Sequence, residues 1–233
     1  MYSTMSRRSL EDGEGSFDLT VLEASSPSRV VVFAVGGGGN PDRHLPLLSS
    51  LAERGATVVA PHFPRLVVPT PTEGDLLLRA RRLRLALDSV ARLDAIAVGV
   101  GHSLGATTLL ALAGGEVWMR PGHKLAIPTD ARLGRLVLLA PATDFFRAPG
   151  ALDSVRTPIA AWVGTNDVIT PPHQGELLRR SLSGRVPVDV RVIEGAGHFS
   201  FMSSPPPQTT EPLADRDEFL AELTRDVCAF VMS

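Results

Sequence analysis

The sequence predicts an α/β protein, with a mainly parallel central sheet and helices on both faces. Three observations carry this. Short buried-strand patterns alternate with helical patterns from Phe17 onward, the cycle that builds a parallel sheet covered on both sides. One strand runs directly into Gly101-His102-Ser103-Leu104-Gly105 and then into a helix. Another ends in the glycine run Gly36 to Gly39.

Residues 17–22 alternate apolar and polar (Phe17, Leu19, Val21) and read as a strand. Residues 29–35 are a continuous β-branched and apolar run, hence a buried central strand. After the glycines and Pro41, a short helix is predicted around 44–54, stopped by Gly55. Residues 57–60 form the next strand, closed by Pro61. Residues 62–73 are a loop rich in Pro and Thr. Residues 75–93 follow as an amphipathic helix (Leu76, Leu77, Leu83, Leu87, Val90) with arginines on its other face. The strand bearing Ile96, Val98 and Val100 and the helix after Ser103 come next. Strands at 136–139 and 159–163, a helix at 172–181, a strand at 188–193 and a helix at 212–232 complete the pattern. Residues 1–16 are polar and charged and read as a flexible N-terminal segment, with 17–233 as one domain.

Bulk properties narrow the function class. The 233 residues suit one α/β domain with a sizeable core. A net charge of −2 and scattered arginines argue against nucleic acid or an anionic membrane as partner. Residues 1–16 lack the apolar core of a signal peptide, and no apolar run is long enough to span a bilayer. A soluble, cytoplasmic protein is expected. Cys228, the only cysteine, lies in an apolar helical pattern and is expected to be a packed thiol. The histidines have no metal-ligand spacing, so no metal or other cofactor is expected.

Strand, tight turn and helix are the context in which Gly-x-Ser-x-Gly acts as a nucleophile elbow. The turn crowds the backbone of Ser103, so the residues two before and two after must be small; Gly101 and Gly105 are. Ser103 then stands above the sheet edge at a helix N-terminus. There the free N–H of Leu104 can stabilise a developing oxyanion. His102 is expected to point away from Ser103 and to serve packing.

In such a sheet, functional groups gather at the carboxyl ends of strands. The polar residues there are Ser103, Asp144, Asp167 in Gly164-Thr165-Asn166-Asp167, and His198 in a glycine-rich loop. The chain order of serine, acid and histidine resembles the α/β-hydrolase superfamily, from the Gly36 loop to the last helix. The compact size and the segment around His198 resemble dienelactone-hydrolase-like and small carboxylesterase-like members. The resemblance implies Ser103 as nucleophile, Asp167 as acid and His198 as base. Asp144 stands as the other candidate acid, because some members carry the acid after the earlier strand. The resemblance also implies a second oxyanion N–H from Gly37 or Gly38, although Val35 replaces the histidine of the lipase HGGG pattern.

The implied activity is hydrolysis of a small carboxylic ester through an acyl-enzyme on Ser103. A thioesterase, an amidase and a non-catalytic binding protein of the same fold are the alternatives. Residues 141–158 are too short for a cap of several helices, so no large cap domain is expected. Residues 114–134 are expected either as a flap near the mouth or as an inert surface loop. The proline-rich stretch 203–212 is placed to form another wall.

Overall fold

In a computed structural model, which describes residues 4–67, 70–90 and 96–233, the chain forms an eight-stranded sheet and a separate two-stranded one. The strands are β1 (Thr4–Glu11), β2 (Ser16–Glu23), β3 (Arg29–Ala34), β4 (Ala56–Pro61), β5 (Ala97–His102), β6 (Val117–Arg120), β7 (His123–Leu125), β8 (Leu133–Leu139), β9 (Ile159–Gly164) and β10 (Val188–Ile193). The helices are α1 (Leu45–Glu53), α2 (Glu73–Asp88), α3 (Leu104–Leu112), α4 (His173–Leu182) and α5 (Arg216–Met232). The large sheet has the order β1-β2-β4-β3-β5-β8-β9-β10. The pairs from β4 to β10 are parallel, while β1 with β2 and β2 with β4 are antiparallel.

The continuous apolar strands are central and the alternating ones lie toward the edges. β4, β5 and β9 are buried at every position, as expected of strands covered on two faces. At the edge, β10 shows the mixed exposure of Val188-Asp189-Val190-Arg191. Helices α2 and α3 pack together, as do α1 and α5, so each buries its apolar face. A capping box starts α2: Thr72 Oγ1 accepts from the N–H of Asp75, and Asp75 Oδ2 accepts from the N–H of Thr72. The predicted end of that helix at Leu93 lies outside the described residues. Cys228 is buried in α5, and burial pushes its thiol pKa up. No helix among the described residues is long and apolar enough to cross a membrane.

Three expectations need correction. The N-terminal segment is not featureless: β1 pairs with β2 along its whole length, from Thr4 opposite Glu23 to Glu11 opposite Ser16. An outer strand buries little, so its polar sequence shows no apolar alternation. The hairpin signal was Asp12-Gly13-Glu14-Gly15, where Asp12 Oδ1 accepts from the N–H groups of Glu14 and Gly15. Asp12 also pairs with Arg82 of α2 at 2.6 Å. The stretch 114–134 contains the β6–β7 hairpin and contributes nothing to the wall of the candidate site. Helix α5 starts at Arg216 rather than near Pro212.

Candidate functional site

Ser103 joins β5 to α3 with φ +54° and ψ −122°, a region that non-glycine residues rarely occupy. The surroundings hold it there. The Ser103 N–H donates to the carbonyl of Leu139 in β8 at 2.9 Å. A Cβ on Gly105 would stand 1.9 Å from the Ala34 carbonyl oxygen, and one on Gly101 would meet Leu109 at 2.8 Å. Both positions therefore require glycine, because helix α3 lies directly on the ends of β3 and β5. Position N1 of α3 belongs to Leu104, whose N–H has no partner inside the helix.

Three side chains from three strand ends meet here. His198 Nε2 lies 3.0 Å from Ser103 Oγ, and His198 Nδ1 lies 2.9 Å from Asp167 Oδ2. Both His198 and Asp167 are buried. The carboxylate is held by more than the imidazole. Asp167 Oδ1 accepts from the N–H groups of Ile169 (2.8 Å) and Thr170 (2.7 Å), and Oδ2 accepts from Thr170 Oγ1 (2.7 Å). Burial by itself raises the Asp167 pKa; the bonds from His198 and Thr170 outweigh it and hold the carboxyl below its usual value. Thr170 Oγ1 also lies 3.0 Å from His198 Nδ1. Sequence reading missed Thr170, although Asp-x-x-Thr after a strand is the pattern of a carboxylate closing its own turn.

Asp144, the rival acid, does not reach the histidine. It sits in a short 3-10 turn, Asp144–Phe146, and pairs with Arg147 at 2.8 Å and with His173 at 3.7 Å.

The glycine run packs beside the serine. Gly36 lies against Ser103 and His102, while Gly37 and Gly38 line the same cavity as Ser103 and Leu104. Gly37 accepts from the N–H of Leu66 and Gly39 from that of Phe63, so residues 63–66 brace the loop. The N–H groups of Gly37 and Gly38 have no hydrogen-bond partner among the described residues, and both residues line the cavity shared with Leu104. Buried Arg79 donates to the Val35 carbonyl at 2.9 Å and lies over the Phe63 ring, fixing the strand end from which the glycines emerge.

His102 does more than pack. Its Nε2–H donates to the backbone carbonyl of His198 at 2.9 Å, which settles its tautomer. Rings follow one another through the core: Phe33 to His44 at 4.8 Å, His44 to His102 at 5.3 Å, His102 to His198 at 4.8 Å. Burial drives the pKa of His102 far down, with the neighbouring His198 and His44 adding to it. Burial likewise takes His44 to about 3. Both are neutral at ordinary pH.

The cavity above Ser103 measures about 570 Å³ and is walled by Leu66, Pro71, Phe145, Ile169 and Phe199. The proline-rich stretch does not wall this cavity, contrary to expectation: Thr209 to Pro212 line a separate, smaller one of about 220 Å³ that also touches His198 and Phe199. No group of His, Cys, Asp and Glu suited to a metal ion occurs among the described residues.

No protein-family model matches the chain, and no curated protein matches it in sequence. Solved structures do match. A CIB-like hydrolase from Thermoplasma acidophilum superposes with a TM-score of 0.67 at 16% identity, over 98% of this chain and 100% of that one. A dienelactone hydrolase from Anabaena variabilis gives 0.67 at 19% identity, over 100% and 98%. Esterase 2 of Thermogutta terrifontis, in a structure phosphoramylated by tabun, gives 0.64 at 16% identity, over 98% and 94%. What they share with this chain is the α/β-hydrolase fold.

Proposed function

We propose that this α/β-hydrolase fold carries a serine hydrolase that cleaves small carboxylic esters through an acyl-enzyme on Ser103. One observation carries the reading: the unbroken line from Ser103 Oγ to His198 to Asp167, at 3.0 Å and 2.9 Å. A serine hydroxyl is a poor nucleophile until a neutral imidazole takes its proton. His198 Nε2 stands where that proton leaves Oγ. Asp167 holds the other ring nitrogen, fixing the tautomer and stabilising the imidazolium that forms.

As Oγ attacks the ester carbonyl, negative charge grows on the carbonyl oxygen. The Leu104 N–H and one from Gly37 or Gly38 are its donors, each worth roughly 10²–10³ in rate by comparison with other oxyanion sites. His198 then passes the proton to the departing alcohol, leaving Ser103 acylated. A water activated by the same imidazole releases the acid. The cavity of about 570 Å³, walled mainly by apolar side chains, suits an acyl group of modest size. That structures of this fold include an esterase modified by an organophosphorus agent supports the reading.

A fluorophosphonate probe tests it, because only an activated serine is phosphonylated at a useful rate. The protein should gain one adduct, mapped to Ser103 by mass spectrometry, and hydrolyse p-nitrophenyl butyrate. A protein that takes no adduct overturns the proposal.

A further inference from the structure

The cavity above Ser103 contains a side chain that the mechanism does not use. Gln174, in the first turn of α4, is 4% exposed and lines the cavity. Its Oε1 accepts from the N–H groups of Thr143 (2.5 Å) and Asp144 (3.3 Å). At its backbone, the carbonyl accepts from Thr143 Oγ1 at 2.8 Å and the N–H donates to Pro171 at 2.9 Å. The residue is therefore fixed at both ends. Those two N–H donors also decide which way the amide faces, since only its oxygen can accept. Nε2 is on the opposite side. It has no partner among the described residues and is not sealed from solvent, so its two hydrogens are offered to the cavity.

An amide donor that gives up its solvent contact to a bound ligand is costly to leave without an acceptor. Its natural complement is an oxygen on the ligand. The charge of that oxygen follows from the rest of the wall. No lysine or arginine lines the cavity among the described residues, and its one carboxylate is Asp144. An anionic substrate arm would enter without a counter-ion in the wall, where the carboxylate of Asp144 already takes the charge of Arg147. A plain alkyl arm would leave the amide unpaired.

We infer that Gln174 sets specificity by donating from Nε2 to an uncharged carbonyl oxygen in the acyl chain, so that the substrates are neutral, oxygen-bearing esters. This rests on the ester-hydrolase reading above. The acyl arm is the one assigned because the large cavity has room for it, while the alcohol leaves past His198 Nε2.

Three p-nitrophenyl esters test this: the levulinate, which carries a keto oxygen; the pentanoate, which lacks it; and the hemisuccinate, with a carboxylate in the keto position. We expect kcat/KM for the levulinate to exceed that for the pentanoate about tenfold, from one added hydrogen bond, with the hemisuccinate below both. Gln174→Glu keeps the acceptor for Thr143 and Asp144 but removes the donors; Gln174→Met removes both. In each the levulinate-to-pentanoate ratio should fall to about one. Using a ratio cancels any general loss of activity. A wild-type ratio near one, or a ratio that survives both substitutions, overturns the inference while pentanoate hydrolysis and Ser103 labelling leave the ester-hydrolase reading standing. Failure of both hydrolysis and labelling overturns the two together.

Discussion

His102 Nε2–H donates to the main-chain carbonyl of His198 at 2.9 Å, with the two rings 4.8 Å apart. The residue that precedes the candidate nucleophile thus anchors the loop that bears the candidate base. Ser103 and His198 are held together twice: once by the hydrogen bond between Oγ and Nε2, and once by the one behind it. In the proposed mechanism a displacement of the base by about 1 Å would cost about a hundredfold in rate, so this second link would position it.

The expected consequence separates positioning from mere packing. His102→Leu removes the donor and leaves the His198 carbonyl unpaired; kcat should fall roughly tenfold or more with KM little changed. His102→Gln places an amide N–H near the same point and should recover most of that loss. Steady-state kinetics on p-nitrophenyl butyrate decide it. Equal loss in the two variants would reduce His102 to a core residue.

Ser103→Ala tests the proposed nucleophile. The β-carbon is retained, so the strained turn between β5 and α3 keeps its contacts and thermal unfolding should stay close to wild type. Ester hydrolysis should fall by several orders of magnitude, because only the oxyanion donors and binding remain. An alanine variant that still turns over ester at the wild-type rate would place the chemistry elsewhere.

Asp167→Asn keeps the shape of the side chain but presents an amide that cannot stabilise an imidazolium. By analogy with serine proteases, kcat should drop by up to about 10⁴. Asp144→Asn, at a carboxylate paired with Arg147 and not hydrogen-bonded to His198, should cost about tenfold or less. Measuring both variants ranks the two acids. The reverse order would make the Asp167–His198 contact incidental.

The interior of this fold was readable because burial writes itself into sequence. β4, β5 and β9 are apolar runs, and Gly101 and Gly105 announce the close approach of α3 to β3 and β5. Ser103, Asp167 and His198 were legible from their places at strand ends, and the structure brings them into contact. The outer strand β1 was not, since one row of ladder bonds to β2 imposes no apolar pattern. Nor could spacing reveal that His102 meets a carbonyl 96 residues away, or that Gln174 turns its amide toward the cavity. Such contacts depend on where loops come to rest, and local periodicity is silent about that. Chain order favoured Asp167 over Asp144, and only the folded loops show that it is Asp167 that meets the histidine.

The buried histidine row has a cost that appears in acid. His44 is fully enclosed; the backbone of Phe201 favours its protonated form, but burial outweighs it. Its pKa is 6.5 in an unfolded chain and about 3 in the fold, because burial excludes the charged form. Holding His44 neutral therefore costs nothing above pH 6.5. As pH falls from 6.5 toward 3 the unfolded chain takes up a proton that the folded chain refuses, and stability is lost throughout that window. At pH 5 the loss from this one residue is about 2 kcal/mol relative to neutral pH. His102, displaced in the same direction, adds to it. Urea unfolding at pH 7.5 and at pH 5 should show the wild type losing stability over that interval. His44→Phe, whose ring fits beside Phe33, should lose about 2 kcal/mol less. The carboxylates titrate alike in both proteins, so the difference isolates His44. Identical losses in the two would mean that His44 takes up its proton within the fold.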